Sequence, residues 1–253
     1  RIPLNHNPPR ARWRERFAAS NPEYFALLPD GTRATNAHPH LCYTDAGMLR
    51  ENVRDIRAFA AGENAHARGI LTEYPYNRHW SHDIALDGHY SLLPADGFRQ
   101  CTCPGCQAKV PSDIPLVNQR HSQLVWDFVA RAARETLETQ LTCLAYGSYS
   151  IPYPGMAPLP DNVVVGFTAY THPASLYYEN LFERYEALLK QWAALSSRPL
   201  AYWQHYLAAN RGDNVGMPEH TPEMYARVIR TMARHGNHAF CEMMADSILF
   251  ELF

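Results

Sequence analysis

The chain has 253 residues, 46% of them hydrophobic and 19% charged, which supplies a substantial buried core and excludes general disorder. A formal net charge of −2 gives neither the basic footprint of a nucleic-acid binder nor a polybasic stretch for an anionic membrane. No apolar run approaches the roughly 20 residues of a membrane-spanning helix, so a soluble protein with a neutral or locally recognised ligand is expected.

The opening, residues 1–33, carries Pro3, Pro8, Pro9 and Pro22 and reads as a connecting loop around one short helix-compatible piece, 11–19. A strand is predicted over 40–44, followed by Asp45 at an N-cap position and a helix over 46–61 with Met48, Val53, Ile56 and Phe59 as its apolar stripe. Residues 67–89 are rich in His, Tyr, Trp and Asn without clear periodicity, as a strand and a long loop over a binding face would be. The next strand, 89–94, runs into Ala95-Asp96-Gly97 and then a cysteine cluster. Ser122 is in position to cap a helix over 123–139, whose stripe includes Leu124, Val125, Phe128, Val129, Ala132 and Leu137. Strands follow over 141–146, 162–170, 200–206 and 238–243. Helices are expected over 177–195 and 222–235, the second opened by Thr221 as N-cap with Pro222 at its first position.

Strands alternating with helices indicate a parallel sheet, and six such units with nearly continuous apolar strands predict an α/β fold, a (β/α)8 TIM-like barrel. Residues 1–253 are expected to form a single such domain or most of one, as part of a longer chain. The strand ends share a chemical habit: Tyr43-Thr44-Asp45, Asp96-Gly97, Tyr146-Gly147-Ser148-Tyr149, Tyr170-Thr171-His172, Trp203-Gln204-His205-Tyr206 and Glu242 are polar or aromatic. In a barrel these converge on the face that carries the active site. Aromatic residues make up 12% of the chain, and flat rings beside polar groups suit a cleft that packs pyranose faces and meets their hydroxyls.

Asp96 sits in a tight turn after an apolar strand, where it either aims a carboxylate across the barrel mouth or caps its own backbone. Glycoside hydrolysis needs one carboxylic acid to protonate the leaving oxygen and a second carboxylate as base or nucleophile. Glu242 is the best second carboxylate, with Asp45 and Asp246 behind it. Trp203 and His205 share one side of their strand and read as the floor and hydroxyl partner of a sugar subsite, or as packed core. Tyr146 and His172 end two other strands and line the same face. Arg120 and His121, before the helix at 122, suit an anionic sugar group, or form a solvated pair.

The run Cys101-Thr-Cys103-Pro-Gly-Cys106 has a spacing that wraps three thiolates around one zinc ion, with a fourth ligand needed, such as a His from the loop holding His79, His82 and His89. A disulfide and plain thiols holding a tight turn are the alternatives. Cys42, Cys143 and Cys241 are scattered, unlike a small secreted disulfide scaffold. No Gly-x-Ser-x-Gly elbow, His-Glu-x-x-His helix, P-loop or dinucleotide fingerprint occurs, so no cofactor beyond structural zinc is expected.

Three stretches then carry a resemblance: Asn21-Pro-Glu-Tyr-Phe-Ala-Leu-Leu-Pro-Asp-Gly-Thr-Arg33 with His40-Leu-Cys-Tyr-Thr-Asp45, then Leu93-Pro-Ala-Asp-Gly-Phe98 with the cysteine run, then 122–133. Their order and spacing, over most of residues 20–205, resemble a bacterial barrel family catalogued as domain of unknown function 4838, which is similar in architecture to alpha-glucuronidases and hexosaminidases. That family's pattern reads Gln-Leu-Cys, then Pro-Asn-Asp-Gly with Cys-x-Cys-x-x-Cys. The resemblance implies a glycosidase-like barrel in a larger periplasmic or secreted protein, with Asp96 at the family's strand-end Asp. Ala95 departs from its usual Asn, and Gln123 and Ala130 depart from its Ser-Asp and Asn. The expected function is an exo-acting glycoside hydrolase on an acidic or N-acetylated sugar (uronide, N-acetylhexosaminide or sialoside). Its rivals are a non-catalytic carbohydrate-binding barrel and a zinc-stabilised interaction module.

Overall fold

The apolar periodicity resolves into six strands and seven α-helices among residues 2–71, 79–110, 116–168, 178–205, 222–236 and 240–244, which the computed structural model describes. The strands are β1 (Ala85–Leu86), β2 (His89–Ser91), β3 (Gln140–Ala145), β4 (Val163–Phe167), β5 (Ala201–His205) and β6 (Phe240–Met244). They form one curled sheet in the order β1-β2-β3-β4-β5-β6. From β2 to β6 every pair is parallel, with Tyr90 opposite Leu141, Leu141 opposite Val163, and Ala201 opposite both Gly166 and Phe240. The helices are α1 (Asn7–Arg10), α2 (Trp13–Phe17), α3 (Ala46–Ala60), α4 (Pro104–Gln107), α5 (Ser122–Glu135), α6 (Glu179–Leu195) and α7 (Pro222–His235).

This overturns the closed eight-stranded barrel. Among the described residues the sheet is open and mixed, because its first pairing is antiparallel. Asp87 and Gly88 between β1 and β2 both have positive φ, 49° and 75°, the geometry of a tight two-residue hairpin, and an Asp-Gly pair is suited to it. The strand expected over 40–44 is reduced to a single antiparallel bridge, Leu41 to Phe25, outside the sheet. The N-terminal third therefore supplies no β-α repeat.

The opening is likewise more than a connecting loop. His6 bridges Leu93 in parallel, the Asn7 amide N–H donates to the Leu93 carbonyl at 2.9 Å, and the Ser91 and Thr142 hydroxyls donate to the carbonyls of Asn5 and Pro3. Leu4 is buried, and a Cβ on Gly166 of β4 would meet it at 3.0 Å. Residues 3–7 thus lie beside the C-terminal end of β2 and against β3.

Helix α3 starts as expected, with Asp45 Oδ1 accepting the Met48 N–H at 2.8 Å. In α5 the N-cap position falls on His121 instead, and the Ser122 hydroxyl donates to the Ile151 carbonyl. The same helix stops at Glu135 because the Asn162 side-chain amide donates to the carbonyls of Ala133, Thr136 and Thr139, which leaves Leu137 exposed. Helices α5 and α6 meet through Trp126 and Trp192, whose rings are 4.6 Å apart. Their indole N–H groups donate to the Tyr149 and Ser150 carbonyls, so both helices grip the turn that follows β3.

Beneath α3, Asp55 is fully buried and receives both guanidinium nitrogens of Arg16 at 2.7 Å and Arg68 Nε at 2.8 Å. A buried carboxylate survives only with such full satisfaction, since removing one partner of a buried pair strands the remaining charge. Replacing Asp55 with Ala is expected to lower stability by about 3–5 kcal/mol in urea titrations. Replacing Lys190, in an exposed pair with Glu186, should cost less than about 1 kcal/mol.

Candidate functional site

Parallel strands aim their C-terminal ends at one side of a sheet, and ligands of α/β folds collect there. Beyond β2 the chain turns at Gly97, whose φ of +64° lies in the left-handed region. Asp96, just before it, is exposed. Its Oδ1 accepts the Gly97 N–H at 2.9 Å and the hydroxyl of Tyr146, from the end of β3, at 3.3 Å. His6 joins them from the opening segment: Nδ1 donates to the Pro94 carbonyl at 2.5 Å, which leaves Nε2 facing Asp96 Oδ1 at 3.9 Å. A cleft of about 960 Å³ opens beside this group, lined by His6, Arg10, His38, Trp80, Asp83 and Asp96 among others. That is at the upper end of the roughly 300–1,000 Å³ usual for small-molecule sites. Arg10 and Asp83 face each other across it at 3.3 Å.

A second cluster stands beside the first. The His121 ring contacts the Ser148 hydroxyl through Nδ1 at 2.7 Å and the Gln100 side-chain oxygen through Nε2 at 3.0 Å, and packs on Phe98 with centroids 4.8 Å apart. Burial, and then the charge of Arg120, pull its pKa down to about 4. His121 is thus a neutral strut that ties the loop after β2 to the turn after β3.

Of the residues singled out from sequence, Asp96 and Tyr146 meet directly and His121 stands next to them, whereas Asp45 is committed to capping α3. Arg120 is exposed and reaches the site only through its field on His121. Trp203 and His205 lie on β5 at alternate positions, and Glu242 on β6 pairs in register with Trp203. Three strands separate β2 from β6, so across a flat sheet their backbones stand about 19 Å apart at ~4.8 Å per strand, a span that curling shortens. His172 lies outside the described residues. His6 was missed, and a segment of prolines gives no periodic signal that could have found it.

The cysteine run forms the densest cluster. Cys42, Cys101, Cys103 and Cys106 bring their sulfur atoms within 4.8 Å of one another, and these four can hold a metal ion such as zinc. The fourth sulfur of this group is that of Cys42, and the histidines of the 79–89 loop, among the described residues, do not join it; His89 is turned to the Asp87 carbonyl. Its sulfur lies 3.6 Å from that of Cys103 and 3.7 Å from that of Cys106. A tetrahedral ion with 2.3 Å bonds to sulfur has edges of about 3.8 Å, whereas a disulfide brings its sulfurs to about 2.05 Å. Cys42, Cys101, Cys103, Cys106 and Cys143 are free thiols.

Local folding builds the cage. Cys103 caps the one-turn helix α4 and its sulfur accepts the Cys106 N–H, while the Leu27 N–H points at the Cys101 sulfur at 3.2 Å. Thr44 Oγ1 is 3.2 Å from the Cys106 sulfur, and a Cβ on Gly105 would stand 2.9 Å from that oxygen, so the turn closes only around glycine. Contacts from Cys106 and Cys42 hold the Cys101 thiol down to about 3, while Cys101 and Cys42 push Cys106 up. Four sulfurs this close become anions together only around a cation. Nothing local to Cys42 ties it to a cysteine run that begins 59 residues later.

Among the described residues no helix is long and apolar enough to cross a membrane. Comparison with protein-family models, with curated proteins and with solved structures returns no match.

The lowered pKa of His121 has a consequence for stability. The unfolded chain binds its proton near pH 6.5 and the folded chain only near 4, so acidification through that window favours unfolding. The urea midpoint should fall from pH 6.5 to 4, and His121→Gln should make that fall shallower. An unchanged slope in the variant would count against the neutral strut.

Proposed function

We propose that the chain is a glycoside hydrolase, exo-acting on an acidic or N-acetylated sugar, that works in the cleft at the C-terminal ends of β2 and β3. The observation that carries this reading is the carboxylate of Asp96 and the imidazole of His6 lining one cleft, with the Tyr146 phenol bonded to Asp96 behind them. Asp96 supplies one of the two carboxyl groups that glycosidic cleavage uses, and the Tyr146 hydroxyl donates to it. Glu242 is the second carboxylate of this reading, with Asp83 as its competitor inside the cleft. A non-catalytic carbohydrate-binding role is favoured by one specific feature, the Asp96 carboxylate capping its own Gly97 N–H.

Turnover of aryl uronides, N-acetylhexosaminides and sialosides by the purified chain tests the reading. Asp96→Asn should lower kcat at least ~100-fold while binding is kept. Glu242→Gln and Asp83→Asn decide the partner, since only the true second carboxylate should match that loss. Uniform inactivity of the unmodified chain together with sugar binding would leave the binding-only role.

We also propose that the ion held by Cys42, Cys101, Cys103 and Cys106 is zinc, in a structural role. A cage of four thiolates suits a soft-tolerant tetrahedral ion and leaves no position open for substrate. Elemental analysis of reduced, freshly purified protein should give one zinc per chain, and Cys42→Ala together with Cys103→Ala should remove it. A chain that carries no zinc when purified from zinc-replete medium would end this assignment.

A further inference from the structure

The metal cage and the cleft share a loop, and what anchors that loop is asymmetric. Upstream of Asp96, the Pro94 carbonyl takes the His6 Nδ1–H bond. Downstream, four residues separate Asp96 from Cys101, the first of the clustered cysteines in this loop. Within that stretch Phe98 stacks on Tyr43, the neighbour of Cys42, with rings 6.0 Å apart and inclined at 16°. The Arg99 N–H points at His40 Nδ1 at 3.3 Å, and Thr102 N–H donates to the Leu27 carbonyl at 2.8 Å. These three contacts are made to the segments 25–28 and 40–44, around Cys42 and the Cys101 sulfur, while Phe98 and Gln100 also meet His121 on the other side. Asp96 itself is exposed, and its carboxylate is met by the Gly97 N–H and the Tyr146 hydroxyl.

We infer that the four-cysteine metal centre is the positioning device for Asp96: with the ion bound, segment 40–44 and the loop 94–106 are one rigid unit, and without it the carboxylate loses its place at the cleft. The inference rests on the metal reading above and extends it from folding to the site. The cysteines are positioning residues here, because none of them lines the cleft. Four neutral thiols offer only weak S–H contacts at 3.6–3.7 Å, whereas four metal–thiolate bonds hold their segments through covalent-strength geometry.

Hydrogen exchange read by mass spectrometry tests this on the whole chain, before and after metal removal by a strong zinc chelator under reducing conditions. Exchange in peptides spanning 93–106 and 40–44 should accelerate at least tenfold, while peptides from α5 and β3 stay unchanged. Cys42→Ser should reproduce the effect at these peptides, and Cys42→His, which restores a four-ligand zinc set, should reverse it. Stoichiometric zinc whose removal leaves 93–101 as protected as before overturns the inference and spares the metal reading. Loss of protection across α5 and β3 as well also overturns it, since the ion would then hold the whole fold and not this loop. Absence of zinc from the unmodified chain overturns both.

Discussion

Four sulfur atoms drawn within 4.8 Å of one another impose the constraint on which the functional end of this protein depends. Three come from one short loop and the fourth from a segment 59 residues earlier, so two stretches of chain outside the sheet converge at this point. From that point contacts run outward in a continuous series: Cys42 leads to Tyr43, Tyr43 stacks on Phe98, Phe98 packs on His121, and His121 reaches Ser148 in the turn after β3. The turn is gripped in its turn by the indoles of Trp126 and Trp192. Loop positions are thereby set from the cysteine cage on one side and from the helical layer on the other.

The sheet explains why the site stands where it does. Strands β3 and β4 are buried on both faces, so their side chains are core and their chemistry is confined to their ends. Asp96 and Tyr146 are such end residues on adjacent strands, one spacing apart, which is why they touch. His6 completes the group from a segment that lies beside β2 instead of following a strand of the sheet. A carboxylate, a phenol and an imidazole come together by three different routes.

Much of this was legible in the sequence where the signal is local. Helix α7 runs over the residues that Pro222 and its apolar period mark out, α3 begins at the cap that Asp45 makes, β4 falls within its apolar run, and β3 overlaps its run with its start one residue earlier. The failures are non-local or arise from reading too much regularity into a repeat. Asp87-Gly88 is a strong hairpin signal that was passed over in a stretch read as loop, and with it went the antiparallel start of the sheet. The end of α5 depends on Asn162, 27 residues beyond Glu135, and no window centred on the helix contains it. Cys42 looked scattered because the distance that matters is spatial. Asp96 was found from its turn, while its neighbours His6 and Gln100 had no periodicity to announce them.

The opening segment has one more implication, for the order in which the molecule is assembled. Pro3 accepts its hydrogen bond from Thr142, 139 residues later, and His6 donates to the Pro94 carbonyl, 88 residues later. At about 5–20 residues per second, the ribosome makes Thr142 roughly 7–30 s after Pro3. During that interval Leu4 has neither Leu144 nor Gly166 to cover it. Contacts of such long sequence separation form late, after the loops between them have closed. The piece of chain synthesised early is therefore among the last to dock, and the cleft that His6 helps to wall exists only once translation has passed the strands on which it rests.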